Sequence, residues 1–431
     1  MWIISSPLGR RVSVFCLATA LLLGLVAPAG LAQAAPPMEA TALTRDFEPI
    51  IVRGGQAPLL SGAPLDQIFV YREVGGIWEQ IPFQIDELTA SGTYTATEDG
   101  VWDANDEVVF MAGDLGDRAT TSIVAALPIT GLWYEVEVRD PTNPSQRGWA
   151  YIVRSTVLTD SVATDYVDYL APNRRVRARS YEVGWAASHA GLDYMTLFGG
   201  DDILDRTKLR VKYRIWPLPQ RWVLTEDNLP APELRLVKDG PVRVIVQRGG
   251  ATTLAYASLL QTTSLIDLSG LPGNVIIDEI RVSSDLTGTI TNATFYNENV
   301  PAGVTIDGTP DAVPTTPFTH PWRQISLDDG TIVQVVSLGE TGGTLSHYYK
   351  DDATVDPDDT GDHQSFGDSG VLVVGPTERI FSVKSVQYIL PGRQSNRGAE
   401  FYGIFQSPLQ VTVRAQARYH LFAPSVLRGQ G

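Results

Sequence analysis

Short runs of alternating apolar and polar residues, cut by Gly, Pro, Asn and Asp, recur from Phe47 to Leu421 and leave few folds open. Examples are 67–72 (QIFVYR), 133–138 (WYEVEV) and 149–153 (WAYIV). Period two with β-branched and aromatic residues is the pattern of strands buried on one face. Residues 208–216 (KLRVKYRIW) place basic side chains outward and Leu209, Val211, Tyr213 and Ile215 inward. Residues 234–247 (LRLVKDGPVRVIVQ) read as a hairpin turning at Lys238-Asp239-Gly240-Pro241, where Asp-Gly supports positive φ. Further strands are expected at 274–283, 288–296, 330–336, 371–374, 380–389 and 409–421. No amphipathic helix exceeds about three turns, and no repeat has a fixed period. The expected class is all-β, built of antiparallel β-sandwich domains at 46–165 and 170–420, the second an extended, many-stranded one.

The ends carry a different signal. Arg10 and Arg11 precede an apolar run at 12–26, and Ala32-Gln33-Ala34 supplies small residues for cleavage. This is the layout of a secretory signal peptide over 1–34, followed by a flexible lead-in at 35–45. A C-terminal tail is expected at 421–431. No later stretch is long and apolar enough to span a bilayer, so a secreted or cell-surface protein is expected. The single cysteine, Cys16, lies in the leader, which excludes disulfides, thiolate metal sites and cysteine nucleophiles from the mature chain. The net charge of −16 disfavours nucleic acid and anionic membranes as partners.

Two acidic clusters are candidate calcium loops. Asp99, Asp103, Asn105 and Glu107 form the first. Asp351, Asp352, Asp356, Asp358, Asp359 and Asp362 form the second, six carboxylates within twelve residues that would repel one another without a neutralising partner. Calcium takes six to eight oxygens, and short loops supply them at alternate positions. Neither cluster has the full calcium-loop register, and acidic loops also cap their own backbone N–H groups. Arg174, Arg175, Arg177 and Arg179 read either as a strip for an anion or as a solvated strand face paired with acids. Gly367-Asp368-Ser369-Gly370 matches a serine-protease segment in four letters only, before an ordinary strand. Eight of the nine tryptophans follow the leader. Most tryptophans in sandwiches are core; Trp102 and Trp222 sit in polar contexts and are the candidates for stacking on a sugar ring.

The segments IPFQIDE (81–87) and WDANDEVVFMAGDLG (102–116) resemble a segment recurring in secreted bacterial and archaeal β-domain proteins. Some of those look distantly like polysaccharide-lyase or mutarotase-type sandwiches, and KDGPVRVI (238–245) adds to the likeness. The ending from Tyr419 to Arg428 is similar to short C-terminal tails of exported bacterial proteins. A lyase would need a base and a group to neutralise a uronate carboxylate; His347, Tyr348, Tyr349 and Arg323 would supply them. The leading expectation is a secreted protein that binds extracellular glycan or cell-surface material, stabilised by calcium. The alternatives are a polysaccharide lyase or other carbohydrate-active enzyme, and a structural component of the cell envelope.

Overall fold

The computed structural model describes residues 42–120, 122–290 and 292–416. The leader, most of the lead-in and the tail at 421–431 lie outside them. No described helix is long and apolar enough to cross a membrane. The alternating runs form five sheets in which every paired strand is antiparallel to its neighbour, as expected for an all-β chain.

A small sandwich comes first. Its three-stranded sheet has the order Pro49–Arg53, Glu107–Met111, Gln84–Asp86. Its five-stranded sheet has the order Gln410–Gln416, Trp133–Arg139, Arg147–Arg154, Ile68–Val74, Ile77–Gln80. Val52, Val108 and Phe110 from the first sheet meet Val136, Val138 and Ile152 from the second, with Trp102 packed among them. The strand Gln410–Gln416 falls within 170–420 in sequence, yet it pairs with Trp133–Arg139.

The rest of the chain is organised on a nine-stranded central sheet. Its middle strands run Arg243–Arg248, Ala251–Tyr256, Leu259–Asp267, Ile380–Pro391, Gly330–Leu338, Trp322–Ser326. Both faces are covered, and alternation decides which residue goes to which. Ile245, Leu254, Tyr256, Val333, Val335, Val386 and Tyr388 face Val109 and Met111 of the small sandwich and Phe401 of the helix Gly398–Gln406. That helix begins directly on Trp322: a Cβ at Gly398 would lie 1.9 Å from the indole, so only glycine fits.

The opposite face meets two further sheets. Val244, Val246, Ala255, Leu260, Ile332 and Ile389 pack on a four-stranded sheet through Val176, Val183, Met195 and Leu197. The same cluster includes Leu204, Leu286 and Phe366 of a second five-stranded sheet, here called the outer sheet. The outer sheet has the order Arg221–Thr225, Leu204–Ile215, Val275–Leu286, Ser365–Val374, Thr344–Asp352. At its far end Val211, Ile280 and Val373 close on Phe381 as a separate cluster. The central and outer sheets thus meet through two separate apolar clusters.

The outward basic residues of 208–216 are not all solvated. Lys208 is 0 % exposed, because residues 359–364 fold over it. The arginine strip takes the paired form: Arg175 and Arg177 both reach Glu182 on the next strand.

Candidate ligand site between the sheets

The acidic loops are largely occupied by their own backbone. Asp99 caps Val101, and Asn105 holds the Leu88 carbonyl. Glu107 points inward and is buried. Asp103 stays exposed. Asp351 accepts the N–H groups of Asp307, Gly308 and Gly367. Asp352 caps Thr354, Asp356 caps Asp358, and Asp362 caps Gln364. Asp359 binds Lys208 at 2.8 Å and Arg210 at 2.6 Å. Asp205, Asp285 and Asp362 bring carboxylate oxygens within 4.8 Å of one another. The Lys208 ammonium already lies 2.5 Å from Asp285 there.

Trp102 is 0 % exposed and cannot stack on a ligand; it packs in the apolar core of the small sandwich. Trp222 is half-buried and stacks on Tyr213 at 5.9 Å. The lyase set is not gathered at one point, since neighbours on a strand face opposite ways. His347 Nε2 lies 3.1 Å from Glu298, Tyr348 lies under Arg281, and Tyr349 packs on Phe295 and donates to Asp311. Arg323 lies elsewhere, in the gap between the central and outer sheets.

Residues from 81–87, 102–116 and 238–245 converge on one buried arginine. Gln84 accepts the N–H groups of Val242 and Arg243, at 3.0 and 2.7 Å, and donates to Asp86 at 2.8 Å. Arg243 donates from Nε to Asp86 and from Nη2 to Glu107, both at 2.7 Å, and from Nη1 to Tyr256 at 3.1 Å. Tyr94 donates to Glu107 at 3.0 Å, and its ring lies 4.9 Å from the guanidinium. Burial pulls the Arg243 pKa down, but Tyr256, Asp86, Tyr94 and Glu107 outweigh it and hold it well above the ordinary value. This clamp joins the small sandwich to the central sheet and has no room for a ligand.

The gap holding Arg323 differs in kind. Packed sheets stand about 10 Å apart and are kept there by interdigitating side chains. Between the two closed clusters, the central sheet presents short or polar residues inward instead. Strand pairing sets them in rows: Leu260, Gln387 and Gln334; then Thr262, Ser385 and Val336; then Ser264, Val383 and Leu338; then Ile266 and Phe381. The outer sheet answers with Thr207, Ser284 and Ser369, then Leu209, Val282 and Val371, then Val211, Ile280 and Val373. Serine and threonine are too short to close the gap, and a slot of about 260 Å³ remains. Val282, on its wall, keeps 39 % of its surface accessible. From the row of Gln387 to that of Phe381 is six residues, roughly 20 Å of strand.

The slot is polar at one end and apolar at the other. At the polar end Arg323 donates from Nε to Gln334, and from Nη1 to the Ser369 carbonyl and hydroxyl. Its Nη2, and the side chains of Ser284, Gln387 and Thr207, have no hydrogen-bond partner among the described residues. Burial pulls the Arg323 pKa down to about 10, with Asp368 the charge that opposes the fall, so it stays cationic at neutral pH. The other arginine on the wall, Arg248, gives its N–H groups to the carbonyls of Pro232, Gly191 and Ala186. No acidic side chain lines the slot among the described residues. Arg323 was legible as a reactive-looking cation. The better signal was Thr262, Ser264 and Ser385 at inward strand positions, where large apolar residues are the rule.

No protein-family model matches the chain, and no curated protein sequence matches it.

Proposed function

We propose that this is an exported binding protein that holds a small organic molecule in the slot between its central and outer sheets. The observation that carries the reading is the slot itself: an apolar cavity with a few convergent polar groups, walled by rigid strands. A sandwich with no ligand to accommodate would close such a gap with leucine or isoleucine, because unfilled core volume is destabilising. An environment-sensitive dye such as anilinonaphthalene sulfonate should bind saturably at one site per chain, and Val282→Trp, which fills the slot, should abolish that site. Non-saturable binding, or binding that Val282→Trp leaves intact, would overturn the proposal.

Glycan binding is a second reading, favoured by one surface feature. Trp216 is 68 % exposed at the tip of the hairpin formed by Leu204–Ile215 and Arg221–Thr225. An exposed indole is the shape that stacks on a sugar ring. A glycan-array signal that Trp216→Ala removes would support it; a signal unchanged by that substitution would remove it.

A further inference from the structure

We infer that the slot takes an amphipathic monoanion of the fatty-acid type, with its carboxylate at Arg323 and its chain running toward Phe381. This rests on the reading of the slot as a ligand site and goes on to assign the ligand's charge and orientation. Four observations support it.

The first is the unused capacity of Arg323. Two of its nitrogens are held by Gln334 and Ser369, which fixes the plane of the guanidinium. Nη2 has no partner among the described residues, and Arg323 lines the slot. A guanidinium so fixed is pre-organised for a carboxylate oxygen, and charge-assisted contacts of this kind are short and strong. The second is the neutral donors beside it. Ser284, Gln387 and Thr207 share that end of the slot and can hydrogen-bond the second carboxylate oxygen.

The third is the amount of charge. Arg248 spends its donors on three carbonyls, so Arg323 is the lining cation with an N–H left to face a ligand. Asp368 offsets part of the Arg323 charge from the other side of the strand. A single negative charge balances what remains, whereas a phosphate dianion would leave excess charge buried. The fourth is the gradient along the strands. Beyond Ser385 and Thr262 the walls become mostly apolar, with Val371, Val383, Leu338, Ile266 and Phe381, Ser264 among them, and Arg248 at the flank with its donors already spent. A ligand that satisfies both ends has a charged head and a flexible apolar tail, and the length of about 20 Å suits a chain rather than a compact ring system.

The test is calorimetric titration of the full chain with decanoate, decanol and decylamine, which share a tail and differ in head. Decanoate should bind about tenfold tighter than decanol or better, with decylamine weakest. Arg323→Gln should bring decanoate down to the affinity of decanol. Because that variant could fold poorly, Gln387→Leu provides a second: it should weaken decanoate while leaving decanol unchanged. Equal binding of decanoate and decanol, both lost in Val282→Trp, would overturn the anion assignment and leave the slot as a ligand site. Failure of all three probes, in a wild-type protein whose dye binding is indifferent to Val282→Trp, would overturn both.

Discussion

Arg243 and Arg323 both carry their charge inside the protein, the first buried and the second half-buried on the wall of the slot, and they are treated oppositely. Arg243 meets Asp86, Glu107 and Tyr256 through its three nitrogens and lies beneath Tyr94. Arg323 is anchored by neutral groups, faces a slot, and keeps one nitrogen unused among the described residues. Burial lowers the pKa of both, yet surrounding groups drive Arg243 up while Arg323 ends at about 10. A buried charge is costly unless paired, so a fully paired one marks structure and an incompletely paired one marks a place where a partner is expected. The segments 81–87, 102–116 and 238–245 build the first, and inward serines and threonines surround the second.

The largest effect should come from cutting the clamp. Arg243→Met leaves Asp86 and Glu107 buried without the guanidinium they share, and should cost about 3–5 kcal/mol in urea unfolding. A loss under about 1 kcal/mol would show the clamp to be dispensable. Gln84→Ala removes the acceptor for two buried backbone N–H groups, and should cost about 2 kcal/mol by the same measurement. Arg323→Met sharpens the contrast. It removes an incompletely paired charge along with three hydrogen bonds, and should change stability by no more than about 1 kcal/mol in either direction. A loss as large as that of Arg243→Met would make Arg323 a second clamp and break the comparison.

A smaller, pH-dependent effect is expected away from both arginines. Burial raises the Glu298 carboxyl, but hydrogen bonds from Thr319, His320 and His347 outweigh it and hold the pKa at about 2, below the ordinary 4.5. The stability this group contributes is therefore present above pH 4.5 and is lost as pH falls toward 2. Glu298→Gln should flatten that part of the curve of urea midpoint against pH; an unchanged acid slope would refute the assignment. The smallest effect is expected from chelation. The acidic loops mostly cap backbone groups, Asp359 is ion-paired, and Lys208 already neutralises Asp285. Removing divalent cations should leave the melting temperature unchanged. A drop that Asp205→Asn reproduces would instead make the carboxylate trio a metal centre.

The fold class was legible because its signal is local. Alternation at 133–138, 149–153 and 330–336 marks strands wherever one face is apolar, and all three are strands in the structure. The hairpin at 234–247 also forms, with Asp239 opposite Val244, although Gly240 does not take the positive φ expected at its turn. What alternation cannot say is what lies over a face. Lys208 and Arg210 look like a solvated stripe, and residues distant in sequence, Asp285, Asp359 and Thr360 among them, make them interior. Trp102 looked exposed among acids because its packing partners, such as Val136 and Ile152, come from other strands. His347, Tyr348 and Tyr349 are contiguous in sequence, and for that reason alternate between faces.

The slot was the least legible feature, since it exists only between two sheets whose strands are interleaved along the chain. Its polar end takes Arg323 from one strand, Gln387 from another and Ser284 from a third. No short segment contains the constellation. Small polar residues at inward positions were the available trace, and they become readable only once register assigns Thr262 and Ser385 to the same row.

The most direct test of the account is a crystal structure of the protein with ω-bromodecanoate, read by the anomalous signal of bromine. The account predicts bromine beside Phe381 and Val373, with carboxylate density at Arg323 Nη2. Bromine at the Arg323 end, or only on the outer surface of the protein, would contradict it.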